Sequence, residues 1–247
     1  MNTDFDTNFE QALKMSQKEF SHYELIALLR EGNVAEKQIA ALKLDGVNNL
    51  SDAEALINNL TGCDGKIREA VALKIHSLLT EKPEISELFN FPEIFADASI
   101  DINPNVCRLV VESVQILKKT SAFSEIYLNK ILEFTQNAFE ELDKFIFRDK
   151  KYVINKQLFK LYWCLECLKL FVNDIDEDKL FSILERTSQE REYTIREKAA
   201  QILILLESEK FNSLKEKLMN DENYYVRNIF TLKSSKHLQS NPCDRLE

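Results

Sequence analysis

Glycine and proline are scarce in this chain, with four of each among 247 residues. Sheets need a turn every few residues, and turns draw on those two residue types. The scarcity therefore excludes a strand-rich fold and predicts long helices joined by short connections. A glycine-rich phosphate loop is hard to build from so few glycines, and the sequence has no nucleophile elbow. Tryptophan is reduced to Trp163, against 16 phenylalanines. Phenylalanine has no polar atom to satisfy when buried, so most of the aromatic content reads as core. The three histidines, His22, His76 and His237, make no metal-ligand spacing. No apolar run approaches the ~18 residues that suggest a membrane span. The acidic start, MNTDFDTNFE, lacks the apolar segment of a signal or transit peptide. Positive charge is in deficit: 32 Lys and Arg against 41 Asp and Glu give a net charge of −9. Duplex nucleic acids are bound largely by neutralising phosphates, so general nucleic-acid affinity is disfavoured. The five cysteines, Cys63, Cys107, Cys164, Cys167 and Cys243, are odd in number and irregular in spacing. They fit reduced thiols in the cytoplasm better than a disulfide framework.

What the chain has in abundance is one pattern, used repeatedly. Laid over IREAVALKI (67–75), the stretch EKQIAALKL (36–44) matches Lys37 to Arg68, Ala41 to Ala72, Leu42 to Leu73 and Lys43 to Lys74, at an offset of 31 residues. The frame recurs after DINPN, DKKYV, EREYT and DENYY, with apolar anchors at Val106, Ile154, Ile195 and Val226 joining Ile67. Successive spacings, counted from Glu36, are 31, 39, 48, 41 and 31 residues, which suit one antiparallel helix pair per unit with variable loops. Each anchor opens a helix apolar on more than one face, as in VCRLVVESVQIL (106–117) and TIREKAAQILILL (194–206). Such a helix must be covered on several sides, as the inner helix of a stacked array is. The segments preceding the anchors, such as YELIALLR (23–30), AEALINNL (53–60), KLFSILERT (179–187) and FNSLKEKL (211–218), are simple amphipaths suited to outer helices. Ser21-x-x-Glu24 and Ser51-x-x-Glu54 read as capping boxes that start two of them. EKPEISELFNF (81–91) reads as an inserted helix, and the acids of IDEDK (175–179) as complements to a helix dipole.

In these turns the chain resembles the HEAT-repeat family, whose pattern is Asp-x-Asp/Asn-Pro-x-Val-Arg-x-x-Ala; DINPNV (101–106) and DENYYVR (221–227) match best. The short units also resemble the small HEAT repeats of phycobilin lyase-type proteins. The resemblance implies an all-α fold: a right-handed α-α superhelix, or solenoid, of about six HEAT-like helical hairpins. One helical-repeat domain is expected over residues 1–233, with a capping helix at about 7–18, repeats from about 20 to 233, and a flexible tail over 234–247. Cys107 and Asn155 stand where the family has Arg, and Glu36 replaces an apolar anchor. Arg68, directly after the anchor Ile67, is expected to link to acidic or carbonyl groups of the adjacent turn and to help set the rotation between units; Arg196 and Arg227 follow Ile195 and Val226 as structural repeat positions.

The Cys164-x-x-Cys167 pair lies mid-helix, without a second such pair or a nearby histidine, so it reads as buried small thiols rather than a zinc or redox site. No catalytic residue, cofactor or metal is assigned. Positions two, six and nine past each anchor are left polar by the apolar pattern and share one side of a 3.6-residue helix. They are Arg108, Glu112 and Gln115, then Lys156, Lys160 and Trp163, then Glu197, Gln201 and Ile204. If the units stack in order, these make a continuous inner face, with the single tryptophan and a group of bases at its centre. Trp and Arg are the types enriched where interfaces gain most binding energy. The expected function is a non-enzymatic scaffold whose concave face grips a protein or peptide partner, since the mixed charges suit a protein better than a polyphosphate. The alternative is a nucleic-acid-acting enzyme or binder, like the HEAT-like alkylpurine DNA glycosylases, whose grooves are basic and aromatic-rich. A third possibility is a phycobilin lyase-like helper, suggested by the short repeats alone.

Overall fold

The structure is a computed structural model that describes residues 15, 17–119, 121–144 and 151–238. The described residues form twelve α-helices, two short 3-10 segments and no strand. The chain divides into two compact units, Met1–Lys130 and Ile131–Glu247. The helix expected at about 7–18 lies largely outside the described residues, as does the tail from residue 239. Residues 234–238, expected in that tail, form part of the last helix.

The first unit is built from helix pairs. Helix α1 (His22–Glu31) turns through Gly32 and Asn33 into α2 (Val34–Lys43), and α3 (Leu50–Ile57) leads to α4 (Gly65–Glu81). A 3-10 segment, Pro83–Phe89, stands where EKPEISELFNF predicts a helix. Then α5 (Pro92–Ser99) pairs with α6 (Pro104–Leu117). The second members pack in order, α2 on α4 and α4 on α6. Helix α7 (Ser121–Asp143) begins in this unit, with Phe123 edge-on to Phe95 and the Tyr127 hydroxyl 2.7 Å from Ser99 Oγ.

The second unit contains the end of α7, α8 (Lys151–Lys169), α9 (Glu177–Thr187), α10 (Tyr193–Leu203), a 3-10 turn at Glu209–Phe211, α11 (Asn212–Met219) and α12 (Tyr224–Leu238). Here too the second members pack in order, α8 on α10 and α10 on α12. The two kinds of helix differ as their sequences require. Helix α9 buries Leu180, Ile183, Leu184 and Thr187, a single i, i+3, i+4, i+7 stripe. Helix α10 buries Ile195, Arg196, Lys198, Ala199, Ala200, Ile202 and Leu203, which covers most of its circumference. Of the anchors, Val106, Ile154, Ile195 and Val226 are buried, while Ile67 is half-buried and Val71 and Ile75 fill the core beneath it.

Caps set the helix starts. Ser21 and Glu24 form a reciprocal capping box, and so do Asn33 and Glu36. The second box explains why Glu36 stands at an anchor position: its carboxylate caps the Asn33 N–H at 2.7 Å. The expected box at Ser51-x-x-Glu54 is not formed. Asn49 caps α3 by accepting from the Asp52 N–H, and Ser51, already in the first turn, accepts from Arg30 Nη2 at 2.8 Å. The competing N-cap two residues upstream has equal intrinsic preference, and the arginine occupies the serine.

One device ties successive pairs together in both units. Arg68 Nε and Nη2 donate to Asp101 Oδ2 and Oδ1 at 2.5 and 3.1 Å, and Nη1 donates to the Gly62 carbonyl at 2.7 Å. Arg196 repeats this on Asp221 at 2.7 and 3.0 Å, with Nη1 on the Glu190 carbonyl at 2.8 Å. Each aspartate also caps its own turn, Asp101 accepting from the Asn103 N–H and Asp221 from the Asn223 N–H. Where the family pattern's arginine is missing, Cys107 Sγ donates to the Asp101 carbonyl at 3.0 Å, six residues back, the place Arg227 Nη1 takes on Asp221. These bidentate pairs are buried, and fork-to-carboxylate geometry is what makes a buried pair favourable. Hydrogen bonding to Asp101 raises the affinity of Arg68 for its proton, and Asp221 does the same for Arg196. Burial opposes ionisation of Asp221, but the Arg196 fork outweighs it and holds the carboxyl below its usual range.

Candidate functional site

The residues left polar along the inner helices fall in both units, and each group has its own geometry. In the first unit, Arg108, Glu112 and Gln115 lie along α6. Arg108 and Gln115 are exposed and Glu112 is half-buried. Arg108 Nη1 approaches Glu112 Oε1 at 3.6 Å, an i, i+4 pair in solvent that contributes little to stability. His76 of α4 brings Nε2 to 3.5 Å from the same carboxylate, while its Nδ1 is buried with no hydrogen-bond partner.

In the second unit, α8 carries Lys156, exposed, with Lys160 and Trp163, both half-buried, at i, i+4 and i+7. Trp163 is the hub of an aromatic group: Phe159 lies 6.4 Å away and Tyr162 5.4 Å away, both edge-on. Its indole N–H is buried and has no acceptor. The neighbouring α10 presents Glu197 and Gln201, both half-buried, with Gln201 Nε2 donating to Glu197 Oε1 at 3.2 Å.

Between these side chains runs a pair that the spacing did not single out. Lys198 of α10 is buried, donates to Glu166 of α8, and sits 4.5 Å over the Tyr162 ring. Lys169 donates to the other Glu166 oxygen at 2.5 Å, and Lys198 reaches Gln201 Oε1 at 3.1 Å. Burial opposes the charge on Glu166, but hydrogen bonds from Lys169 and Lys198 prevail and hold its carboxyl below the usual range. Burial likewise works against the Lys198 ammonium, and Glu166 overcomes it and holds the proton more tightly than usual. The signal in the sequence is a lone carboxylate in LYWCLECLKLF, apolar but for it and Lys169, a setting in which a covered carboxylate demands a cation. The network joins α8 to α10 beside Tyr162, whose ring meets Trp163. With both charges committed to each other, it offers no free acid or base for proton transfer.

Cys164 and Cys167 are buried on α8. Burial, followed by the neighbouring Cys167, pushes the Cys164 thiol far above its usual range, so it is neither a ready nucleophile nor a ready metal ligand. Among the described residues there is no cluster of His, Cys, Asp and Glu suited to a metal ion, and no helix is long and apolar enough to cross a membrane. Comparison with protein-family models, curated proteins and solved structures gave no match.

Proposed function

We propose that this chain is a HEAT-like helical-repeat scaffold, a right-handed superhelix of about six hairpins, that binds a protein or peptide partner through its inner helices. The observation that carries the reading is the surface of α8: a half-buried Trp163 flanked by Phe159 and Tyr162, with Lys156 two turns and Lys160 one turn before it. Trp163 is only part-covered and its indole N–H has no acceptor, so the fold leaves part of the side chain open to a partner, and tryptophan at a rigid surface is among the types that dominate interface energies. The rigidity comes from the Glu166–Lys198 pair beside Tyr162, so little conformational freedom is lost on binding. Duplicated Arg–Asp clasps supply the regular stacking that a repeat scaffold requires. Within the second unit, Glu197 and the two lysines are mixed in sign, as are Arg108 and Glu112 in the first, which favours a protein surface over a polyphosphate chain.

The reading is tested by affinity capture from the source cells, with wild type beside Trp163→Ala. A partner retained by the wild type and lost by a folded Trp163→Ala variant supports the assignment. A partner held equally by both contradicts it.

A further inference from the structure

We propose that a second binding surface lies at the heads of α10 and α12, and that it takes a proline-rich segment flanked by basic residues. It is made by Tyr193, the first residue of α10, and Tyr224 and Tyr225, the first two of α12. Tyr193 and Tyr224 occupy the same register, two residues before the anchors Ile195 and Val226. Their exposures are 36% and 62%, and that of Tyr225 is 60%. Exposed tyrosines usually stand alone, but these are ordered against one another. The rings of Tyr193 and Tyr225 stack at 6.0 Å and 28°, and Tyr224 meets Tyr225 edge-on at 5.7 Å.

The base under the ladder is rigid. Asn223 caps the Tyr225 N–H at 2.9 Å, Asp221 holds the Asn223 N–H, and Arg196 of α10 clasps Asp221. The three rings are thus presented by two helix heads fixed to each other by the buried ion pair.

The chemistry of the surface selects its occupant. A polyproline II strand has three residues per turn and rises about 3.1 Å per residue, so every third residue, about 9.3 Å apart, faces the same surface, a spacing longer than one ring-to-ring step of the ladder and shorter than two. Proline rings pack into grooves between aromatic side chains, and the strand's carbonyls, which lack internal partners, accept from tyrosine hydroxyls. Such a strand is already extended before binding, so an open ladder with no deep cavity can hold it at small entropic loss. The same turns carry Glu190, Glu192 and Glu222, with Arg191 among them, and the Glu222 side chain is 89% exposed. Acid beside the ladder favours Lys or Arg at the ends of the proline run. This site stands apart from Trp163 in sequence and does not rest on the α8 reading.

The test titrates the purified full chain with three fluorescently labelled peptides, followed by anisotropy: a decaproline, the same peptide with two arginines at each end, and a glycine-serine peptide with the same arginines. Saturable binding of the arginine-flanked decaproline is expected, with an affinity about tenfold lower for Tyr225→Ala and for Tyr224→Ala. Glu222→Gln should weaken that peptide by roughly two- to threefold and leave the plain decaproline unchanged. Trp163→Ala should change neither. The tyrosines are exposed, so circular dichroism of the variants should match wild type, and Tyr224→Ala serves if Tyr225→Ala does not fold. The proposal is overturned by any of three results: no saturation up to ~1 mM, equal binding of the glycine-serine peptide, or undiminished binding by folded tyrosine variants.

Discussion

Asp221→Asn isolates the clasp that joins α10 to α12. The carboxylate accepts two hydrogen bonds from Arg196 and one from the Asn223 N–H, and both charged partners are buried. Removing one member of a buried pair typically costs about 3–5 kcal/mol, because the other charge is left without compensation. Arg196 would keep the Glu190 and Arg191 carbonyls, at 2.8 and 2.9 Å, and the exposed Glu222 carboxylate at 3.4 Å. Those remaining partners place the expected loss at the low end, about 3 kcal/mol, or a roughly hundredfold change in the folded-to-unfolded ratio. Urea unfolding followed by circular dichroism measures the loss. Native-state hydrogen exchange should place the increased opening at α10 and α12. A double-mutant cycle with Arg196→Met supplies the coupling energy, which should exceed about 1 kcal/mol. A loss under ~1 kcal/mol with coupling near zero would refute the claim that this pair holds the helices together. Asp101→Asn, at the equivalent clasp of the first unit, should behave alike, since Arg68 makes the same bidentate contact.

The remaining expectations concern pH, backbone crowding and shape. Glu166 and Asp221 have folded pKa values below their usual range, so their contribution is fully present above the unfolded values of about 4 and is lost as pH falls through the folded ones. Lys198 is raised, so its contribution holds below its unfolded value of about 10.4 and fades as pH rises through the folded one. Thermal melts across pH should therefore show a plateau between these limits, and Glu166→Gln should flatten the acid limb. A Cβ at Gly32 would sit 2.5 Å from the Leu28 carbonyl oxygen and 2.8 Å from Glu36 Cβ, so Gly32→Ala should destabilise by roughly 1–3 kcal/mol. Gly62, with nothing within 4 Å, should accept alanine with little change in the melting temperature. Solution scattering tests the proposed superhelix: a compact chain of this length has a radius of gyration of about 18 Å, and a value clearly above it is expected.

The helical class was legible because two independent features agreed, the lack of turn residues and the 3.6-residue recurrence of apolar side chains. The difference between α9 and α10 was legible too, since a helix covered on one side needs one stripe and a helix covered on several needs more. Local competition was harder to read. Asn49 and Ser51 are comparable N-caps, and only the Arg30 contact, 21 residues distant in sequence, decides between them. The arginines after the anchors stand out in the sequence, but the acceptors Asp101 and Asp221 lie 33 and 25 residues further on, and their choice depends on helix packing. Lys198 and Glu166 escaped notice because counting polar positions from the anchors passes over charges that face the neighbouring helix. The tyrosine ladder escaped for the opposite reason: its members sit ahead of the anchors, outside the helical stripe being counted.

The most direct measurement of the central claim is hydrogen–deuterium exchange of the chain with its captured partner bound. The account predicts new protection on α8 and α10, in peptides spanning Lys156 to Glu166 and Glu197 to Leu203, lost when Lys156 and Lys160 are both replaced by glutamate in a chain that keeps its helicity. Protection confined to α9 and α11, or binding untouched by the charge reversal, would contradict it.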